Sequence, residues 1–345
     1  MTLQTSIHRL TLPLERPFTI ARGTTTSCDI HVVEISDSDG NTGIGTSAPR
    51  RYYGETAETV GAVLPEYCAY LESDVQTLSP ATIERELTGI VDDNPAARTT
   101  VSVALADLFA KRNGRPLYEA LGHAGTVSIA SSYTLGIDEP AEMAEHAASA
   151  IAAGHGTLKV KLGGAADAEA IEAVRAAAPT ATLRVDANAA WTPNEALTLI
   201  DICAEHDVEF VEQPVPATDH TGLKTVYERS ALPIAADESC VTLHDVPRVA
   251  DRADIINIKL MKCGGVWEAL RMIHTGRAHD LEVMLGCMVE SAPSIAAAAH
   301  LTPLVDYADL DGALLLAEDE YTGSPVTPGD ITLASERPGL GVTKP

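Results

Sequence analysis

From residue 161 to residue 311, seven positions recur at nearly equal steps. Lys161, Asp186, Glu212, Asp237, Lys259, Gly286 and Asp311 follow one another at 22 to 27 residues. Each closes a short β-rich run: "GTLKVKLG", "ATLRVDAN", "VEFVEQP", "LPIAADES", "DIINIKL", "LEVMLGC" and "VDYADLDG", with "TVSIASSYTLG" opening the series. Amphipathic segments such as "DAEAIEAVRAAAP" and "NEALTLIDICAEHD" lie between them. Eight strands, each followed by a helix or a returning loop, are what a parallel (β/α)8 barrel requires. An open doubly wound sheet is the competing fold, disfavoured by the strand count and by the lack of a G-x-G-x-x-G after any strand.

The segment before the barrel has another character. Residues 3–14 and 28–46 read as antiparallel strands around the turn-forming "DSDGNTG", with "TIARGTTT" (19–26) as a loop. Helical patterning runs from Glu55 to about Leu121. The expected architecture is therefore α/β: a modified (β/α)8 TIM barrel (123–321), an α+β N-terminal capping domain (1–122) and a C-terminal tail (322–345) that completes the cap.

A formal net charge of −25 argues against nucleic acid or an anionic membrane as a partner. The six cysteines, at 28, 68, 203, 240, 263 and 287, show no C-x-x-C spacing. Buried thiols in a reducing compartment fit them better than a disulfide framework. No apolar run resembles a leader or a membrane span, so a cytoplasmic location is expected.

The steps place the strand-ending residues in one ring at the C-terminal mouth of the barrel, where such folds hold their chemistry. Each acid alone could cap a helix, and each lysine could reach solvent. Three acids on consecutive strands, with lysines on the strands before and after, are harder to attribute to capping. Asp186, Glu212 and Asp237 would bring three carboxylates together, and their repulsion demands a cation. Oxygen ligands without His or Cys suit Mg²⁺, with Mn²⁺ as the alternative.

Only seven lysines occur in the chain, and two share one short strand. Alternation turns Leu158, Val160 and Leu162 to one face and Lys159 and Lys161 to the other. Lys161 and Lys259 should face each other across the metal, and the cation should lower their pKa values towards those of general bases. Two opposed bases flanking a carbon α to a metal-bound carboxylate would invert it through an enediolate.

These residues resemble a known family. "KVK", "VDAN", "VEQP", "ADES" and "NIKLMKCGG" are similar to motifs of the enolase superfamily, specifically its muconate lactonizing enzyme subgroup, across nearly the whole chain. Lys or His bases with Mg²⁺ stabilising an ene-diolate are the general pattern of that superfamily. The resemblance implies Asp186, Glu212 and Asp237 as metal ligands, Lys161 and Lys259 as the acid/base pair, and Lys159 as an auxiliary cation.

"ADLDG" places Asp309 and Asp311 two apart. They could simply form a turn before Gly312. The spacing is also similar to the D-x-D of dipeptide epimerases, where it holds the substrate ammonium. "GCMVES" resembles the same group and adds Cys287 and Met288 as substrate contacts. Arg22 resembles the arginine of epimerases acting on L-Ala-D/L-Glu and suits a side-chain carboxylate. Tyr53 belongs to a second lid loop, "RRYYGE". Asn188 and Glu238 are expected to support the metal shell, and Trp191 to pack beside the barrel.

The implied activity is Mg²⁺-dependent epimerisation of a dipeptide, L-Ala-D/L-Glu first, by 1,1-proton transfer at the C-terminal residue. Such an activity would serve peptidoglycan-peptide recycling, in a homo-oligomer. A cycloisomerase, N-acylamino-acid racemase or o-succinylbenzoate synthase of the same subgroup is the alternative, as is a dipeptide epimerase of different side-chain specificity. A barrel that binds metal and peptide without catalysis would need neither Lys161 nor Lys259.

Overall fold

The structure is a computed structural model that describes residues 3–73, 75, 78–123, 128–333 and 336–344. Three antiparallel strands come first: β1 (Gln4–Ile20), β2 (Gly23–Ser36) and β3 (Thr42–Thr46). The β1–β2 ladder reaches Ile20 opposite Gly23, so Ala21 and Arg22 form the tip of a tight hairpin and not an open loop over 19–26. Strand pairing resumes at Phe18 after an irregularity following Pro13, which the prolines in this stretch concealed. Between β2 and β3, the Asp37 carboxylate accepts the N–H groups of Asp39 and Asn41, both at 2.9 Å.

Helices α1 (Ala57–Leu71), α2 (Pro80–Leu87), α3 (Pro95–Arg112) and α4 (Leu117–Ala120) follow. Helix α3 is buried nearly all round and lies directly on β3. Gly43 and Gly45 permit that approach, because a Cβ on either would stand 2.0 Å from a carbonyl oxygen of α3.

The barrel strands are β5 (Tyr133–Leu135), β6 (Thr157–Lys161), β7 (Thr182–Asp186), β8 (Val208–Glu212), β9 (Ile234–Ala236), β10 (Ile255–Ile258), β11 (Glu282–Gly286) and β12 (Tyr307–Asp309). They pair in sequence order, all parallel, and a bridge between Ser131 and Ala308 joins the two ends. The run expected as one opening strand divides. Strand β4 (Ser128–Ile129) leaves the barrel to pair with the tail, β5 stays in it, and residues 126 and 127 lie outside the described residues.

Around the barrel lie α5 (Pro140–Ala152), α6 (Asp167–Ala177), α7 (Pro193–Glu205), α8 (His220–Arg229), α9 (Val246–Val249), α10 (Leu260–Cys263), α11 (Val266–Ala278) and α12 (Ala292–Ala299). The tail adds β13 (Val326–Thr327) and β14 (Asp330–Thr332), which form a small sheet with β4. No helix among the described residues is long and apolar enough to cross a membrane.

Two buried acids join the layers. Asp107 on α3 accepts the N–H groups of Ile44 on β3 (3.0 Å) and Leu340 in the tail (2.9 Å). Glu84 on α2 accepts from the N–H groups of Glu268 (2.7 Å) and Trp267 (3.1 Å), at the N-terminus of α11. This contact accounts for Gly265 at the end of "KCGG". A Cβ on Gly265 would meet the Glu84 carboxylate at 2.2 Å, so this glycine lets α2 dock on the N-terminus of α11.

His300, beside the tail, is buried, and its Nδ1 accepts the Tyr118 N–H at 3.3 Å. Burial lowers its pKa from 6.5 to about 4. The neutral ring therefore contributes stability above pH 6.5 that is lost as pH falls from there towards 4, about 3 kcal/mol in all. Burial raises Glu84 to about 7, and that group acts in the opposite sense, adding stability as pH falls. Urea unfolding at pH 7.5 and 5 should therefore show a shallower acid loss for His300→Gln than for the parent chain.

Candidate active site

The cap and the barrel mouth enclose a cavity of about 910 Å³ lined by residues of both. Strand register sets its floor. Lys161 pairs with Asp186 and Asp186 with Glu212, so three neighbouring strands end at one level. Asp237 follows β9 directly. Strands β6 and β10 stand four apart in a ring of eight, which puts Lys161 and Lys259 on opposite sides with the three acids on the arc between.

Each expected charge finds a partner. Lys161 Nζ donates to Asp186 Oδ2 at 2.6 Å, and Lys259 Nζ donates to Asp237 Oδ2 at 2.8 Å. Lys159 Nζ lies 2.7 Å from Asp309 Oδ2, 2.8 Å from Glu212 Oε2 and 3.1 Å from Asp186 Oδ2. It thus ties the acid triad to the D-x-D pair, a larger part than that of a neighbour to Lys161.

Asp186, Glu212 and Asp237 are buried, and each offers a carboxylate oxygen within 4.8 Å of the others. Glu212 Oε2 accepts no hydrogen bond despite the nearby Lys159. Burial and the Asp186 charge push Glu212 up to about 7. An all-oxygen triad with an unsatisfied lone pair fits a hard divalent cation. The protein charges alone hold Lys159 and Lys259 above the ordinary lysine range, at Lys259 the reverse of the expected depression. That depression requires the positive charge of a bound ion among the carboxylates.

Asp309 ends β12, and its Oδ1 is buried without a hydrogen bond. Asp311 Oδ2 accepts the Thr134 N–H at 2.6 Å, while burial and the Asp309 charge raise its pKa to about 7. Both line the cavity, as do Cys287, Met288, Tyr53 and Asn188. The Asn188 backbone is left-handed, and its N–H donates to Asp186 Oδ1 at 2.8 Å. Trp191 is packed, with Nε1 donating to Asp167 at 2.9 Å.

Arg22 is already engaged. Its Nη1 lies 2.7 Å from buried Glu238 Oε1 and donates to the Asn188 carbonyl at 2.9 Å, and the guanidinium stacks 4.5 Å from the Tyr52 ring centroid. Among the described residues, its Nε and Nη2 have no hydrogen-bond partner. Asp29, which also lines the cavity, accepts hydrogen bonds from Arg9 and Thr11.

Three supporting residues escaped the sequence reading. Lys262 is fully buried, with Nζ 2.5 Å from Asp237 Oδ1 and bonded to the carbonyls of Asp237, Asn257 and Cys240. Gln213 accepts the N–H groups of Asp237 and Ser239, both at 3.0 Å. Asn257 donates to Glu212 Oε1 at 2.8 Å. Gln213 and Lys262 stand inside the quoted "VEQP" and "NIKLMKCGG", and those motifs were the available signal.

Comparison with known proteins agrees with this geometry. Residues 3–122 match the mandelate racemase / muconate lactonizing enzyme N-terminal domain, and residues 142–344 match the enolase C-terminal domain-like family. The chain belongs to the mandelate racemase/muconate lactonizing enzyme family. Within that family it is 38% identical to a hydrophobic dipeptide epimerase of Roseobacter litoralis, covering 98% of each chain. It is 36% identical to the L-Ala-D/L-Glu epimerase of Escherichia coli, covering 93% of this chain and 97% of the other. A crystal structure of a dipeptide epimerase from Enterococcus faecalis, complexed with Mg and L-Leu-L-Tyr, superposes with a TM-score of 0.95 at 34% identity. That match covers 99% of this chain and all of the other.

Proposed function

We propose that this chain is a Mg²⁺-dependent dipeptide epimerase that inverts the α-carbon of the C-terminal residue, with L-Ala-D/L-Glu as its substrate pair. The observation that carries the reading is the opposition of Lys161 and Lys259 across a buried carboxylate triad, each lysine held by a different acid. Residues 1–122 and 322–345 act in this reading as a cap over a catalytic barrel of residues 123–321.

Asp186, Glu212 and Asp237 would hold the Mg²⁺. The ion supplies charge neutralisation for the substrate carboxylate as the adjacent α-proton leaves. One lysine, as the free amine, removes that proton from one face. The other, as the ammonium, delivers a proton to the opposite face, so the configuration inverts with no net change in atoms. Exchange of the two roles gives the reverse reaction. Lys159 keeps a third positive charge at the reacting end, Asp309 and Asp311 receive the substrate ammonium, and the free edge of Arg22 receives the glutamate carboxylate.

A second reading exchanges glutamate for an apolar residue. It is favoured by the engagement of Arg22 with Glu238 and by Tyr52 and Tyr53 on the lid. Chiral chromatography of L-Ala-L-Glu and L-Ala-L-Leu incubated with enzyme and Mg²⁺ separates the two. Faster appearance of L-Ala-D-Glu supports the acidic substrate, faster L-Ala-D-Leu the apolar one, and neither product would sink the epimerase.

A further inference from the structure

Six cationic side chains line the cavity, and one of them is unaccounted for. Lys159, Lys161, Lys259 and Arg22 each pair with a buried carboxylate, and Arg51 stands in solvent. Arg50 is half-buried, and among the described residues its guanidinium has neither an ion pair nor a hydrogen bond.

Among the described residues, the titratable groups facing Arg50 form no ion pair with it. They are Cys28 on β2 and Cys287 and Glu290 in the loop after β11. Burial raises both thiols, Cys28 to about 11, so neither is anionic at neutral pH. Glu290 is also raised by burial, and its Oε1 accepts the Met288 N–H at 2.8 Å. A half-buried guanidinium without a counterion costs free energy, and an anionic ligand relieves that cost.

The position of Arg50 says which part of a ligand it meets. Cys287, beside it, belongs to the Asp311 end of the cavity: a Cβ on Gly312 would touch Cys287 Sγ at 3.1 Å, and Asp311 is the leading charge acting on that thiol. Arg22, by contrast, is fastened to Asn188 and Glu238 at the metal end. Arg50 therefore stands where the N-terminal residue of a dipeptide projects its side chain.

We infer that Arg50 is a specificity-determining residue that receives a carboxylate carried by the N-terminal residue, so that an N-terminal Asp or Glu is preferred over its uncharged amide counterpart. This rests on the dipeptide reading above. The Asp309–Asp311 pair takes the α-ammonium, and the guanidinium fork takes the neighbouring side-chain carboxylate, a pairing geometry that an uncharged amide does not reproduce.

The test compares L-Glu-L-Ala with L-Gln-L-Ala, equal in size and different in charge, on the full Mg²⁺-loaded chain. Binding is read by calorimetry and turnover by α-deuteration. The parent chain should favour the Glu dipeptide at least about tenfold in both readouts. Arg50→Met should collapse that ratio to within about twofold, and Arg50→Lys should retain part of it. Equal binding of the two dipeptides by the parent chain overturns the inference without any variant, and so does an undiminished ratio in a folded Arg50→Met. A calorimetric preference without deuteration of any dipeptide keeps the Arg50 site and removes the epimerase. Deuteration without preference does the opposite.

Discussion

Lys161→Ala and Lys259→Ala should each lower dipeptide epimerisation by at least about a thousandfold, because each removes one of two obligatory proton carriers. The two variants should differ in what they keep. With one lysine left, the α-proton of one stereoisomer can still be removed and returned on the same face. Exchange with solvent then persists for that isomer while inversion stops. The two variants should retain exchange of opposite isomers, since their lysines stand on opposite strands of the ring. Loss of the ligand shell does not explain such a result. Asp186 keeps Lys159 and the Asn188 N–H when Lys161 is removed, and Asp237 keeps Lys262 when Lys259 is removed. Mass spectrometry of separated diastereomers in D₂O reads both quantities. Full epimerisation by either variant contradicts the two-base scheme.

Glu212→Gln is expected to produce the second large effect, on the metal. The substitution preserves shape but deletes one of three charges and places an amide where Oε2 lacks a hydrogen bond. Mn²⁺ affinity, followed by electron paramagnetic resonance, should fall by more than the roughly 10- to 100-fold typical of losing an outer-shell contact. Thermal stability supplies a readout independent of turnover. At a hundred times its dissociation constant, an ion bound only by the folded state adds about 2.7 kcal/mol. Mg²⁺ should therefore raise the melting temperature of the parent chain and leave that of Glu212→Gln nearly unmoved at the same concentration. An equal rise in both would remove Glu212 from the ligand set.

The barrel and its ring were legible because both are periodic. One βα unit per step fixes which residues reach the mouth, and alternation along β6 fixes which side chains turn inward. The six-residue core of the arrangement, three acids and three lysines, follows from those two regularities alone. What stayed illegible depends on contacts between distant segments. Nothing near Lys262 in the sequence shows that its ammonium bonds three carbonyls as well as Asp237. Gln213 supports a turn 24 residues away, and only β8 lying beside β9 makes that contact possible. The sequence presents Arg22 as a loop cation suited to a substrate carboxylate, yet the hairpin carries it onto Glu238 across the cap–barrel boundary. Strands β4 and β5 look like one run in the sequence because the tail that claims β4 lies some 200 residues further along the chain. In each case the local pattern was correct for the residue and silent about its partner.

The central claim is proton transfer at one carbon by two opposed lysines. Its most direct test is to incubate the Mg²⁺-loaded chain with L-Ala-L-Glu in D₂O and locate the label in both diastereomers by NMR. The account predicts one deuterium, at the α-carbon of the C-terminal residue, in the L,D product and in time in the recovered L,L substrate, with none at the alanine α-carbon. Label at the alanine α-carbon, or L,D product formed without deuterium, would contradict it.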